Sequence, residues 1–401
     1  MKEKKRFAAA ALFLLFIFGM FFYLLRDFNS ISGEVLHFYQ KNRSENPTIW
    51  EKASLCISKT ESAVNDSADR SHGFIELFGG VQRLLSKRVI DDYDPENIVV
   101  RLSNGTLQLI AKGASEQDMT GAAASLSRLH QTLAKSNIPL LYINAPEKIQ
   151  EGAKVLPTGI YEYGNAQADA LLQKLKAQSV PALDLRGSFS QANYGANFFV
   201  TDHHWKPEAA FTAFQTICGT LRTQYGFSIP SAVTDFENYS VLSYHNYFLG
   251  SQGKRVGTLY AGTDDISLIA PRFKTSLVYD VASHGIHRSG DYLNTVIFRE
   301  RVKEKDYFGG NPYTMYAGGD YALGRIVNND NAGGPKILMV RDSFAGAITP
   351  FLSLACSKLE TLDLRYFTGS LTQYILETKP DIVLYLYTAS STSNQTLFKV
   401  N

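Results

Sequence analysis

Thr201-Asp202-His203-His204-Trp205, followed by Lys206-Pro207-Glu208, decides how this chain reads. It puts a carboxylate two residues before an imidazole, with an indole beside it. Phe198-Phe199-Val200 ahead of it has the look of an extended apolar segment. Pro207 stands where the first turn of a helix tolerates proline, and the residues from Glu208 onward are helix-like. The motif is therefore expected on a strand-to-helix turn at the rim of an α/β sheet. A base and the group that orients it can be presented there to a nucleophile from elsewhere in the chain. On extended backbone, residues two apart share a face. Asp202 and His204 should then point one way and His203 the other, with Trp205 packed behind the imidazole.

A second stretch offers the nucleophile. Lys336-Ile337-Leu338-Met339-Val340 is a short apolar run of the kind that forms a buried strand. Arg341-Asp342-Ser343-Phe344-Ala345-Gly346 follows, and Ala347 to Leu354 can continue as helix. A serine at such a junction projects its hydroxyl from a tight turn, and its N–H lies at a helix start, where negative charge is favoured. Taken alone, Asp342-Ser343 also reads as a helix N-cap. Paired with the Asp-His-His-Trp turn, Ser343 reads as the nucleophile.

These two motifs together resemble the DHHW family of the SGNH-hydrolase-like superfamily and are similar to the alginate O-acetyltransferases of the AlgJ/AlgX type. Further stretches carry the resemblance: Asn144-Ala145-Pro146-Glu147-Lys148, Phe248 to Arg255, Tyr316-Ala317-Gly318-Gly319-Asp320 and Asp363-Leu364-Arg365-Tyr366-Phe367. It spans roughly residues 72 to 390. The resemblance implies a triad of Ser343, His204 and Asp202, in an order permuted relative to ordinary SGNH esterases, whose serine comes first. It also implies a polysaccharide acceptor, and an acyl donor supplied by a membrane-bound O-acyltransferase partner. Two positions depart from the pattern. Thr388 stands where related sequences often have Asn, near the end of the last strand. Arg341 replaces a small residue, where it would narrow the cleft or bind an anionic sugar.

The rest of the chain is consistent with an α/β domain. Strands are expected at Ile98–Leu102 and Leu107–Ile110 around Asn104-Gly105, the strongest short hairpin signal. Helix is expected over Ala114 to Asn137, with Leu126, Leu129 and Leu133 on one face. Strand at Pro139–Asn144, helix at Ala166–Gln178 and strand at Ala182–Leu185 precede the helix after Pro207. Strand Lys358–Leu364, helix Leu371–Thr378 and strand Pro380–Tyr387 follow Ser343. This alternation predicts a doubly wound, mostly parallel sheet. Residues 228–320 interrupt it with turns and tyrosines and read as an insertion forming one wall of the cleft. Glu147-Lys148 lies just past the strand ending at Ile143, on the edge where ligands enter open sheets. Lys148 either lines the site or is a solvated loop lysine. Gly250-Ser251-Gln252-Gly253-Lys254 lacks the spacing of a phosphate loop.

Composition narrows the function classes. The chain has 401 residues and a net charge of +2, which gives no electrostatic footprint for nucleic acid. Aromatic residues make up 12%, with 22 Tyr; they serve either ordinary packing or a saccharide-facing groove. The three cysteines share no metal-type spacing. Nothing near His203-His204 supplies the further ligands of a zinc site, so no metal and no cofactor are expected.

The N-terminus is basic over Lys2 to Arg6, then apolar from Phe7 to Leu25. About 19 residues at 1.5 Å each nearly match a hydrocarbon core, and the basic flank predicts a cytoplasmic N-terminus with an exported remainder. A cleavable signal peptide is the rival, but no Ala-x-Ala-like site follows. The expected layout is a cytoplasmic segment 1–6, a transmembrane anchor 7–25, a membrane-proximal stalk with helical pieces 26–95 and the SGNH-like domain 96–401. The expected activity is O-acyl, most simply O-acetyl, transfer to a cell-surface or secreted polysaccharide. An acyl-esterase with the same triad and a non-catalytic polysaccharide-binding assembly protein are the alternatives. Trp205, His203, Asp342, Arg341 and Lys148 are the residues expected around the triad.

Overall fold

Ile382–Thr388 is buried at every position, which is what a strand covered on both faces requires. In the computed structural model it lies inside an eight-stranded sheet. The structure describes residues 2–44, 47–91, 98–110, 113–303 and 305–400. The strands of this sheet, in chain order, are β1 Leu140–Ala145, β2 Ala182–Asp184, β3 Leu277–Val281, β4 Ile286–Gly290, β5 Leu323–Asn328, β6 Lys336–Arg341, β7 Lys358–Leu362 and β8 Ile382–Thr388. Their spatial order is β2-β1-β8-β6-β7-β5-β3-β4. The first five run parallel, and β5, β3 and β4 complete the sheet antiparallel.

The chain separates into two compact units, residues 1–81 and 82–401. In the first, α1 is Lys2–Arg26, α2 Phe28–Asn42, α3 Ile49–Ser71, and α4 is Gly73–Leu84, which runs past its end. Lys59 on α3 pairs with Glu34 on α2 at 3.5 Å, and Ile31 and Ala63 are buried. Among the described residues no helix is long and apolar enough to cross a membrane. The transmembrane anchor expected over 7–25 therefore gains no support from the structure. The side chains of the basic segment 2–6, and several within 7–25, lie outside the described residues.

The second unit is wound on both sheet faces, and the period-two rule shows why. On β8, Ile382, Leu384 and Leu386 share one core with α7 (Pro207–Tyr225) and the helix Ile348–Leu354. Val383, Tyr385 and Tyr387 face the other core, with α5 (Glu116–Ala134), α6 (Gly164–Ala177) and the helix Leu371–Thr378. α5 starts at a capping box in which Ser115 and Asp118 each bond the other's backbone N–H. α7 buries Phe211, Phe214, Ile217 and Leu221, residues three and four apart, each contributing about 1.5–3 kcal/mol on burial. It ends at Gly226, whose φ of 70° suits glycine.

The hairpin expected around Asn104-Gly105 is present as Ile98–Arg101 paired with Leu107–Ile110. Two expectations change. Residues 228–320 form a ribbon, Tyr239–Phe248 against Asp264–Pro271, but they also supply β3 and β4 to the main sheet. The approach to the Asp-His-His-Trp motif is also not a strand. Gln191–Asn197 is 3₁₀ turn, and a single antiparallel bridge joins Phe198 to Trp205. The motif is thus a loop pinched at its base, directly before α7.

Candidate active site

Ser343 follows β6 at the carboxyl edge of the sheet and opens the 3₁₀ turn Ser343–Gly346. Asp342 caps that turn: its Oδ1 accepts the Phe344 N–H at 3.0 Å, and its Oδ2 faces the Thr388 N–H at 3.4 Å. The capping role read for Asp342 is therefore what it performs, and burial pushes its carboxyl above the usual range. The cap leaves Ser343 at the head of the turn, with its hydroxyl free to meet the loop that carries His204.

The two stretches meet there. His204 Nε2 lies 2.8 Å from Ser343 Oγ, across 139 residues of sequence. His204 Nδ1 lies 2.5 Å from Asp202 Oδ1, and the His204 backbone N–H donates to the same oxygen at 2.9 Å. The carboxylate sets the tautomer: with Nδ1–H donating to Asp202, the Nε2 lone pair faces the serine hydroxyl. Burial opposes the charge on Asp202. The imidazoles of His203 and His204 and the two bonds from His204 outweigh that and hold its carboxyl well below the usual range.

His203 does not face away, as period two would have it. The backbone bends at each residue from Thr201 to His204, so the alternation of extended chain does not apply. Its ring centroid lies 3.9 Å from that of His204, and its Nδ1 is 3.2 Å from Ser251 Oγ. Burial and the neighbouring His204 lower its pKa.

The imidazole that reaches Ser343 lies between the rings of His203 and Tyr313. Tyr313 stacks on His204 with centroids 4.3 Å apart and planes 21° from parallel. Trp205 is fully buried, and its Nε1–H donates to the Phe344 carbonyl at 2.9 Å. The Tyr313 hydroxyl donates to the same carbonyl at 3.2 Å. One backbone oxygen next to Ser343 thus ties its turn to both Trp205 and Tyr313. Nothing local in the sequence pointed to Tyr313.

The loop itself is clamped from three directions. Asp264, on the inserted ribbon, accepts the Val200 and Thr201 N–H groups at 2.7 Å each and the Thr201 hydroxyl at 2.6 Å. The Gly250 N–H donates to Thr201 Oγ1 at 2.7 Å, and the Ser251 N–H to Asp202 Oδ2 at 2.6 Å. This is the work of Gly250-Ser251-Gln252-Gly253-Lys254: it wraps the carboxylate, with Ser251–Val256 as a short helix. Lys148 closes the third side. It is buried, and its ammonium donates to Leu107 O at 2.6 Å and Val200 O at 3.3 Å. It is neither solvated nor in the cleft, and burial pushes its pKa down to about 7.

Arg341 is 1% exposed. Its guanidinium is paired with Asp320 and donates to Gly319 O at 2.9 Å and Asp342 O at 3.3 Å. An anionic sugar cannot reach it; it braces the turn from below. Asp320 is shared with Arg365, whose Nη2 donates to it at 2.7 Å. The Thr388 hydroxyl bonds Ser390 and Ser391 at 3.0 and 3.1 Å.

Two clefts open on Ser343. The larger, about 370 Å³, is lined by Gln108, Glu147, Tyr163, Arg365 and Ser390 among others. The smaller, about 260 Å³, is lined by His204, Phe248, Lys254, Tyr313 and Asp320. Ser343 and His203 border both.

Asp202, His203 and His204 bring three possible metal-ligand atoms within 4.8 Å of one another. Two of the three are already joined, because Asp202 Oδ1 and His204 Nδ1 share a hydrogen bond. An ion there would displace that proton and leave His204 without its orienting partner. The geometry fits a hydrogen-bonded Asp–His–Ser chain better than a metal centre.

Residues 106–238 match the family described as SGNH hydrolase-like domain, acetyltransferase AlgX. That stretch is similar to an SGNH hydrolase-like domain. The match contains Asp202 and His204 and ends before Ser343. The fold of the chain recurs in solved structures. Bacillus cereus PatB1 is 24% identical, with a TM-score of 0.62, over 76% of this chain and 100% of that one. A DHHW family protein from Eubacterium siraeum is 18% identical, with a TM-score of 0.57, over 78% and 97%. PatB1 with a sulfonyl adduct is 21% identical, with a TM-score of 0.61, over 77% and 98%. No curated protein matches the chain. The family resemblance read from the motifs agrees with these matches.

Proposed function

We propose that this protein is an O-acyltransferase that carries an acyl group, most simply acetyl, on Ser343 and passes it to a hydroxyl of a cell-surface or secreted polysaccharide. The observation that carries the reading is the 2.8 Å contact between His204 Nε2 and Ser343 Oγ, with Asp202 behind the imidazole. In the first half-reaction Ser343 Oγ attacks the acyl carbonyl of the donor while His204 Nε2 takes the hydroxyl proton. The bond from carbonyl carbon to leaving group breaks, and His204 returns the proton to that group. In the second, an acceptor hydroxyl attacks the acyl-serine and gives its proton to His204. The bond to Oγ breaks, and the proton returns to the serine. Asp202 stays ionised throughout and stabilises the imidazolium. The Ser343 N–H, at the head of its turn, is one donor to the oxyanion.

The AlgX-type family match over residues 106–238 supports acyl transfer. The apolar run Phe7 to Leu25 after a basic segment supports a membrane anchor with the remainder outside the cytoplasm. By the family resemblance, the acyl donor comes from a membrane-bound O-acyltransferase. Hydrolysis by the same triad would need only water in place of the acceptor. Incubating the protein with 4-nitrophenyl acetate, with and without an oligosaccharide, separates the two. Acetylated sugar supports the transferase; free acetate alone supports the esterase. A wild type as inert as Ser343→Ala toward several esters and acceptors rejects both.

A further inference from the structure

The larger cleft beside Ser343 has a chemistry of its own. At its rim Tyr161 and Tyr163 are 66% and 48% exposed, and such rings cover the C–H faces of pyranoses. Its wall carries the hydroxyls of Ser390 and Ser393 and the amide of Asn394. Among the described residues that line it, carboxyl groups outnumber cations. Glu147, Glu162 and Asp342 line it, against Arg365, and the Arg365 Nε and Nη2 groups already donate to Asp363 and Asp320.

The two glutamates are brought together by the backbone. A Cβ on Gly164 would sit 2.6 Å from both Glu147 Cγ and Glu162 Oε1, so only glycine lets the two side chains meet over the start of α6. Glu162 accepts the Asn165 N–H at 3.0 Å. Burial pushes Glu147 up to about 7. Gln108 and Glu147 each keep a buried side-chain oxygen without a hydrogen-bond partner among the described residues. Unmet acceptors beside a cleft favour a ligand that brings donors and penalise one that brings carboxylates.

We propose that this cleft is the acceptor site, and that it takes a glycan whose residues are neutral or carry amines, not a polyuronate. The assignment rests on Ser343 as the acyl carrier and adds the class of acceptor. The acceptor hydroxyl approaches the acyl-serine from the Tyr163 side, with sugar hydroxyls or an ammonium facing Glu147 and Glu162. A uronate chain would set carboxylates against carboxylates.

Binding tests this separately from turnover. Full-length Ser343→Ala protein is titrated with xylotetraose, a chitosan tetramer and an alginate tetramer, and binding is followed by saturation-transfer NMR and calorimetry. The expected result is that the first two bind at least about tenfold more tightly than alginate. Adding Tyr163→Ala should weaken their binding by about tenfold, and adding Glu162→Lys should shrink the discrimination against alginate. Equal or tighter binding of alginate, no binding of any of the three, or indifference to Tyr163→Ala would overturn the proposal. If wild-type Ser343 takes no acyl group from any ester, the acyl-transfer reading fails, while the binding result still stands or falls alone.

Discussion

The backbone N–H of Ser251 donates to Asp202 Oδ2 at 2.6 Å, so a loop from the inserted region holds the carboxylate that orients His204. The contact needs a very close approach. A Cβ on Gly250 would lie 2.2 Å from Asp202 Cβ and 2.6 Å from its Cα. Gly250→Ala must push the two loops apart. The expected cost is about 2 kcal/mol or more of stability, read from urea midpoints, together with loss of ester turnover. Ser251→Ala keeps the backbone donor and should change both far less.

The two histidines should separate in kinetics. Only His204 has its Nε2 on Ser343, so His204→Ala should lower kcat/KM on an acetyl ester by roughly a thousandfold or more. His203→Ala removes a neighbour whose Nδ1 is 3.5 Å from Asp202 Oδ1 and should cost about tenfold at most. Equal losses would mean that the roles are wrongly divided.

Much of this site was legible because its parts are local. β1, β6 and β8 read clearly as short apolar runs, since a strand buried on both faces has no polar alternation to hide it. β5 did not: Gly324 and Arg325 break its run, and it is held by pairing with β7 and β3, which sequence periodicity does not report. The partnership of Asp202 and His204 was found with the wrong geometry. The residues share a face because the loop bends, not because it is extended, and for that reason His203 stays close. Tyr313 and Asp264 reach the loop from 109 and 62 residues beyond His204 and Asp202, and only the assembled fold reveals them. Lys148 reads from the sequence as either a site-lining residue or a solvated loop lysine, yet it is buried and bonded to Leu107 O on the hairpin strand Leu107–Ile110.

Lys148 gives a pH test. Its pKa is pushed down to about 7 in the folded protein, against about 10.4 for an unperturbed lysine. Between those values the unfolded chain holds the proton and the folded chain does not, so stability rises with pH across that window. Unfolding midpoints measured from pH 7 to 10 should lose that upward slope in Lys148→Met. The same variant removes the side-chain donor to Leu107 O and Val200 O and shifts the loop. Ester turnover should fall on the order of tenfold or more, while Lys148→Arg, which keeps a donor, should fall less.

The most direct measurement is covalent labelling of Ser343. The protein is treated with phenylmethylsulfonyl fluoride and, separately, with 4-nitrophenyl acetate, then digested and mapped by mass spectrometry. The expected result is a sulfonyl or acetyl group on Ser343 alone, formed rapidly in wild type and His203→Ala and lost in His204→Ala and Asp202→Ala. A protein that stays unlabelled at Ser343, or labels equally well without His204, would contradict the triad.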